Sequence, residues 1–488
     1  MSDSPLRRLA GDTAIYGMGT IVPRLLNYFL VPFYTRIFNE GPYGQITELY
    51  AWVAIIMVIL TYGMETSFFR YASLEDKAEK VFNTAAGSIF ITSLLFIFLV
   101  SIFLGDISSA LQYSDHKDFI LILAIVVTID AFTALPFANL RLQKKAKRFS
   151  IMRIASVLVN VFLNFLFLLI IPKIFSEQIS NWPLYSSQNM IGLVFIANLF
   201  SSLVTLFMLL PELRTFSLKI DTILLRKMLA YGLPILIIGI AGMINEVSDK
   251  ILLRYFLPDH LTAEVEIGIY GANYKLAILM MLFIQMFRYA AEPFFFSEAN
   301  KKDAKQNYSR IMTYFVIFMW LIFLGVTLYI DIFKYFIGPK FWVGLSVVPV
   351  VLLAKLFLGV YFNLSIWYKL TNKTFYGSLV AVLGAIITIT LNVIWIPMFG
   401  YVGSAWANLA TYFIIMLISY FWGQRIYKVD YNIKKLLGYS GLALGFYFLS
   451  TLFNDFSTSI HFTINTFLLL SYVGVIYFFE ARKLLKKA

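Results

Sequence analysis

Arg24 sits in the middle of an apolar stretch running from about Asp12 to Phe38, with no acidic residue within a helical turn or two. A guanidinium held in hydrocarbon costs roughly 2.5–3.5 kcal/mol on insertion scales. A chain keeps one there only against a wet cavity or a partner. A permanently charged, forked donor suits phosphate oxygens, so the chemistry this residue offers is phosphate binding.

A second group lies in the run INEVSDKILL, where Glu246 shares a helix face with Asp249 and with Lys250. Either these residues neutralise one another so that the helix can insert, or they form a coupling or substrate site. Both can hold together. Lys275 and Arg288 follow in the next apolar stretch, and Glu292 stands one turn beyond Arg288, placed to satisfy it. Lys355 lies midway along a later stretch without an acidic neighbour. It requires a cavity, or a pair with Asp130 or Asp249. Asp130 is central in its own segment, where a carboxylate is protonated, bridges helices or relays protons. Glu65 and Arg70 are placed to pair at an interface, Arg153 to snorkel and Glu48 to meet water. The substrate-binding candidates are therefore Arg24, Lys250, Lys275, Arg288 and Lys355. The coupling or gating candidates are Asp249, Glu246, Asp130 and Glu292. A basic set with carboxylates beside some members fits an anionic headgroup such as a pyrophosphate, whose lipid tail stays in the bilayer. An exporter of organic cations would want the opposite balance. Aromatic residues near these positions, among them Tyr28, Tyr50, Trp52, Tyr270, Tyr274 and Tyr289, can stack on sugars. In a chain that is 18% aromatic, most such rings pack or face lipid.

The elements that must position these residues are membrane spans. Of 488 residues, 60% are hydrophobic and 14% charged, and the mean hydropathy is +0.78. A soluble chain carries about 25% charged residues. The sequence predicts an all-α polytopic membrane protein with fourteen spans, at about 12–38, 43–69, 81–104, 118–140, 150–172, 190–211, 228–257, 266–296, 308–330, 343–368, 376–398, 402–422, 436–453 and 462–480. Basic residues concentrate on alternate loops, including RLQKKAKRF (Arg141–Phe149), Lys301–Arg310, Arg425–Lys435 and the tail with Arg482, Lys483, Lys486 and Lys487. The net charge of +13 is thus a matter of membrane topology rather than of nucleic acid. Both termini are expected in the cytoplasm. The start, MSDSPLRRLAGDT, lacks the apolar core and cleavage site of a signal peptide, so insertion is expected through the first span. The chain has no cysteine, which excludes disulfides, thiol catalysis and thiolate metal sites. No metal or cofactor is expected. The longest outer loop, 173–189, contains Ile179, Trp182, Pro183 and Leu184 and suits the membrane interface. All three histidines, His116, His260 and His461, fall in outer loops as exposed polar residues.

Spans one and seven are alike in kind. The first carries Gly17, Gly19, Pro23 and Pro32, the seventh Gly232, Pro234, Gly239 and Gly242. Each leads into a similar run, GPYGQITELY at Gly41–Tyr50 and GIYGANYKLA at Gly268–Ala277. Six helices separate the two starts, which predicts parallel repeats with the substrate site between them near mid-depth and a rocking motion for alternating access. The expected domains are 1–215 for the first six spans, 216–425 for the next six, and 426–488 for two final helices and a tail.

With Arg24 leading to Ile37 and Phe38, then GPYG, then Asp249–Lys250 before GIYGANYKLA, then PMFGYVGSAWANLATY (Pro397–Tyr412), the chain resembles the polysaccharide flippases, Wzx type, of the multidrug/oligosaccharidyl-lipid/polysaccharide (MOP) exporter superfamily. Ser404–Ala405 stands where that family has two alanines. The resemblance covers essentially the whole chain. It implies two six-helix lobes in a V with two extra carboxy-terminal helices. It implies transfer of an undecaprenyl-pyrophosphate-linked oligosaccharide to the outer leaflet of a bacterial plasma (inner) membrane, with proton or sodium coupling in some members. A first-span arginine is similarly important in the related lipid II flippases. Expected partners are the lipid-linked oligosaccharide, the bilayer and other polysaccharide-assembly membrane proteins. The rival readings are a lipid II flippase and a cation-coupled multidrug exporter of the same superfamily. A membrane glycan polymerase is disfavoured, because the outer loops are too short to carry a catalytic acid and base.

Overall fold

The computed structural model describes residues 5–73, 78–175, 182–186, 189–299, 301–453 and 456–481. Ile179 and the tail residues Arg482, Lys483, Lys486 and Lys487 lie outside the described residues, as do the first four residues of the start. Every regular element among the described residues is helical. Hydrocarbon demands this, because a backbone group left unpaired there costs several kcal/mol and a helix pairs its own.

Eleven of the described helices are long and apolar enough to cross a membrane. The count of fourteen is not reproduced as such. The spans expected at 376–398 and 402–422 form one run, Thr374–Ile426, that turns at Gly400 with φ 56° and ψ −139°. The segment containing Arg24 is divided into Pro5–Tyr28 and Leu30–Ile37, and the residues expected at 266–296 into His260–Lys275 and Ile278–Glu298.

The chain divides into two compact units, residues 1–37 with 46–243 and residues 38–45 with 244–488. In the first, Pro5–Tyr28 packs along Ala146–Phe165. Gly19 permits this approach, since a Cβ there would collide with Ser150, and small residues are how membrane helices come close. Tyr34 donates to Asn164 Oδ1 at 2.7 Å. Ser201 donates to the Ser156 carbonyl at 2.7 Å and Thr205 to Ser156 Oγ at 2.7 Å, tying Ala146–Phe165 to Met190–Leu209. Such interhelical bonds contribute about 0.6 kcal/mol each in lipid.

Two expectations in this unit, one pairing and one exposure, are corrected. Glu65 pairs with Arg141 rather than Arg70, and the Arg70 guanidinium lies 4.2 Å from the Tyr231 ring centroid. Both alternatives come from outside the local helix, which sequence spacing does not show. Glu48 is buried rather than wetted and accepts from the Tyr113 hydroxyl at 2.8 Å.

In the second unit, Val348–Leu364 packs along Thr374–Ile426, and His260–Lys275 lies against the 3-10 run Pro339–Val347. The corner at Gly400 is closed by Glu266, whose Oε2 accepts the Tyr401 N–H at 2.8 Å. A helix turning here frees backbone groups, and the carboxylate supplies the missing acceptor.

Candidate functional site

The helix Thr222–Phe256 carries Asn245, Glu246, Asp249 and Lys250 on turns that face His260–Lys275, Val348–Leu364 and Thr374–Ile426. Asn245 anchors it. Its Nδ2 donates to the Ala381 carbonyl at 3.2 Å, its Oδ1 accepts from Thr388 at 2.9 Å, and its carbonyl accepts from Tyr412 at 3.1 Å. The turn that follows is thereby fixed against the neighbouring helix.

Glu246 is the centre of the cluster. Its two oxygens accept from Lys355 Nζ at 3.0 and 2.9 Å, from Tyr274 at 3.0 Å and from Tyr412 at 3.1 Å. One turn on, Asp249 Oδ1 takes Lys250 Nζ at 2.8 Å and the Lys250 N–H at 2.9 Å, while Oδ2 accepts from Tyr270 at 2.7 Å. The two ammonium groups also lie near ring faces. Lys250 is 4.1 Å from the Tyr274 centroid, and Lys355 is 4.7 Å from Tyr274 and 5.2 Å from Tyr412. Cation–π contact strengthens where water is excluded. Lys355 is 2% exposed as a side chain and Asp249 likewise, whereas Glu246 keeps 28%. The Glu246–Lys355 pair therefore meets its surroundings through the carboxylate.

Of the sequence candidates, the structure gathers Glu246, Asp249, Lys250 and Lys355 into one network. Lys355 takes Glu246, not Asp130 or Asp249. Lys275, half-buried on the helix bearing Tyr270 and Tyr274, lies within electrostatic range of Lys250 and Glu246. Among the described residues it has no carboxylate at ion-pair distance.

The remaining candidates are elsewhere. Arg24 is exposed on Pro5–Tyr28 in the first unit. Asp130, in the same unit, lies near Ser202 of Met190–Leu209 and in the field of Arg153, and so is not isolated. Arg288 and Glu292 do not pair. Glu292 takes Lys369 at 2.7 Å, and the Arg288 guanidinium sits 4.0 Å from the Phe362 centroid. The short helix Ile366–Leu370 brings Lys369 within reach, and a partner on another helix displaces the one a turn away.

Sequence reasoning missed Tyr412, Asn245 and the buried pair Arg254–Glu264, at 2.9 Å. Arg254 carried a signal, because it stands one turn beyond Lys250 on the same face. Tyr412 closes the run PMFGYVGSAWANLATY, but nothing local marks its hydroxyl as a ligand of Glu246.

A model of the family described as "Polysaccharide biosynthesis protein" matches residues 9–298. Protein 1 of the Lsg locus of Haemophilus influenzae is 20% identical over 426 residues, which cover 84% of this chain and 98% of that relative. Among solved structures, the lipid II flippase MurJ in an inward closed conformation matches with TM-score 0.73 at 15% identity, covering 97% of this chain and 100% of that one. An inward-facing multidrug resistance transporter of the MATE family of the MOP superfamily matches with TM-score 0.60 at 13% identity, covering 86% and 95%. Likeness at such identities establishes the fold, and a fold hosts many substrates.

Proposed function

The chain belongs to the polysaccharide biosynthesis protein family, and from that premise we propose that it carries an undecaprenyl-pyrophosphate-linked oligosaccharide from the cytoplasmic to the outer leaflet of a bacterial plasma membrane by alternating access. Both termini face the cytoplasm in this reading. One observation carries it: two lysine–carboxylate pairs, Lys355–Glu246 at 2.9 Å and Lys250–Asp249 at 2.8 Å, held by three tyrosines inside an apolar unit.

Buried ion pairs are poor stabilisers, because desolvation offsets their attraction. A chain that keeps two of them has a use for their exchange. A pyrophosphate offers Lys355 and Lys250 stronger acceptors than their carboxylates do. Lys275 supplies the first attraction. Once Lys355 turns to phosphate, Glu246 retains only tyrosine donors. A carboxylate stranded in that way becomes stable as the protonated acid. Substrate binding is then coupled to proton uptake at Glu246, the most accessible member of the network. Arg24, exposed on Pro5–Tyr28, is by itself a further candidate phosphate ligand, since its fork suits two oxygens.

Proteoliposomes of the purified protein test this reading with three substrates of one glycan, linked to polyprenol through pyrophosphate, through monophosphate or directly. Leaflet accessibility of the sugar is the readout. The pyrophosphate compound should cross fastest, and a pH gradient should accelerate it in the native protein but not in Glu246→Gln. Equal rates for the phosphate-free compound would sink the proposal. A lipid II flippase differs only in the sugar, so exchanging the glycan on the same carrier separates the two.

A further inference from the structure

Away from the buried network, a surface cavity of about 530 Å³ opens in the second unit where the helices Ala304–Thr327 and Ile433–Thr451 begin. Lys302, Lys305, Arg310 and Lys435 line it, against two carboxylates, Asp303 and Asp430. Lys435 is engaged by Glu480 at 2.5 Å. The other three cations have no carboxylate at ion-pair distance among the described residues. Among the neutral groups on the wall, Ser309 donates to the Asp430 carbonyl at 2.9 Å, Thr313 to the Ser309 carbonyl at 2.9 Å, and Asn432 Oδ1 accepts the Lys435 N–H at 3.1 Å. The cavity offers a ligand Lys302, Arg310, Lys305 (4.8 Å from the Tyr427 ring centroid) and the exposed amide of Gln306, a set that calls for an anion.

The surroundings indicate which anion. From Arg310 the same helical face continues through Tyr314 and Phe318, at i+4 and i+8, and both rings are exposed. Phe318 also stacks on Phe283 of Ile278–Glu298 at 4.3 Å, while Ile433–Thr451, tied to the same helix by Trp320 Nε1 donating to Ser440 at 2.8 Å, leaves Leu437 exposed. A cationic pocket thus opens at the head of an apolar wall. A soluble phosphate would need the cations alone. A phospholipid needs both, and basic pockets at the ends of membrane helices are where anionic headgroups bind.

We propose that this cavity binds the phosphate headgroup of an anionic phospholipid, with the acyl chains lying along Tyr314 and Phe318. The site is separate from the lysine–carboxylate network and does not depend on the substrate assigned to it.

The test uses the full-length protein in phosphatidylcholine vesicles containing a small fraction of spin-labelled phosphatidylglycerol, with motionally restricted lipid as the readout. Lys302→Gln/Lys305→Gln/Arg310→Gln should weaken the retained phosphatidylglycerol about 10- to 100-fold, given roughly tenfold or less for each cation near a charged headgroup. A control lacking the same number of charges elsewhere, Lys144→Gln/Lys147→Gln/Arg214→Gln, should retain it. Tyr314→Ser/Phe318→Ser should weaken the lipid while leaving inorganic phosphate binding unchanged. Unaltered retention in the first variant, or equal loss in the control, overturns the proposal. Displacement of the lipid by millimolar inorganic phosphate, with no effect of the ring substitutions, assigns the cavity to a soluble anion and overturns it too.

Discussion

Removing Lys355 leaves Glu246 with Tyr274 and Tyr412 and takes away its ion-pair partner. Breaking a buried pair by deleting one partner costs about 3–5 kcal/mol, whereas replacing both partners with neutral groups of similar volume is often neutral. The two tyrosine hydroxyls, at 3.0 and 3.1 Å, remain as donors, and Glu246 can take a proton in place of the lost lysine, which places Lys355→Met at the lower end, about 3 kcal/mol. That is a loss of roughly 150-fold in the ratio of folded to unfolded protein. The double variant Glu246→Gln/Lys355→Met should lie within about 1 kcal/mol of the native protein. Equilibrium unfolding of the solubilised protein reads both. Transport in proteoliposomes then separates structure from function. The double variant should fold and yet flip the pyrophosphate-linked substrate at least about 100-fold more slowly, since a pre-placed charged donor contributes about 3 kcal/mol where charge must be stabilised in a dry site. If single and double variants are destabilised equally, the pair is not coupled as its geometry requires. If the stable double variant transports at the native rate, the pair is only scaffolding.

Arg24→Ala should abolish glycan export with membrane insertion and abundance near normal, and Arg24→Lys should rescue only part, because a point charge lacks the fork; export by intact cells and membrane blotting read the two. Gly400→Ala should destabilise the second unit by about 1–3 kcal/mol, since φ 56° strains an L residue and its Cβ meets the Glu266 carboxylate. Gly438→Ala, whose Cβ meets nothing within 4 Å, should not, and the same unfolding measurement compares them. Asp259 caps His260–Lys275 by accepting from Thr262 N–H at 2.9 Å, and this bond with that from the Thr262 hydroxyl holds its carboxyl below the usual carboxylate range. The stability advantage over Asp259→Ala should therefore be present above the ordinary carboxylate pKa and disappear as pH falls through the lowered value. An advantage that persists in acid would show that the cap does not act through its charge.

How far the sequence reached depends on the range of each signal. Composition and apolar length act everywhere along the chain, so an all-α membrane protein could be read directly. Short spacing on one helix placed Glu246, Asp249 and Lys250 together, but Lys250 pairs with its neighbour Asp249, and Glu246 takes Lys355 from another helix rather than the lysine one turn away. The same logic failed for Arg288 and Glu292, and for Glu65 and Arg70, where a partner from another helix was better placed. Glu246 and Lys355 stand 109 positions apart, and no local pattern says that their helices adjoin. Gly400 lies within the run PMFGYVGSAWANLATY, but nothing in that run marks it as the corner of Thr374–Ile426. A positive φ is a property of the chain path, and the sequence shows only that glycine would permit it.

A neutral network changes the meaning of the basic residues. A cavity lined by unpaired cations would bind a pyrophosphate tightly and hold it, and a carrier must also release its cargo. When each lysine has to leave a carboxylate before it can serve a phosphate, the gain from the new contact is offset by the cost of the lost one. Affinity then stays moderate while selectivity for anions is kept, since a cation would find both carboxylates already occupied. Lys275, half-buried beside the network, tips the balance toward negative charge without adding a bond that must be broken. Deleting it should therefore weaken substrate binding and leave the protonation step intact. Deleting Lys355 or Glu246 should uncouple the proton while binding falls less. Substrate affinity and proton uptake measured on the same proteoliposomes must separate in that way, and parallel losses in all three variants would mean that the lysines form one static patch.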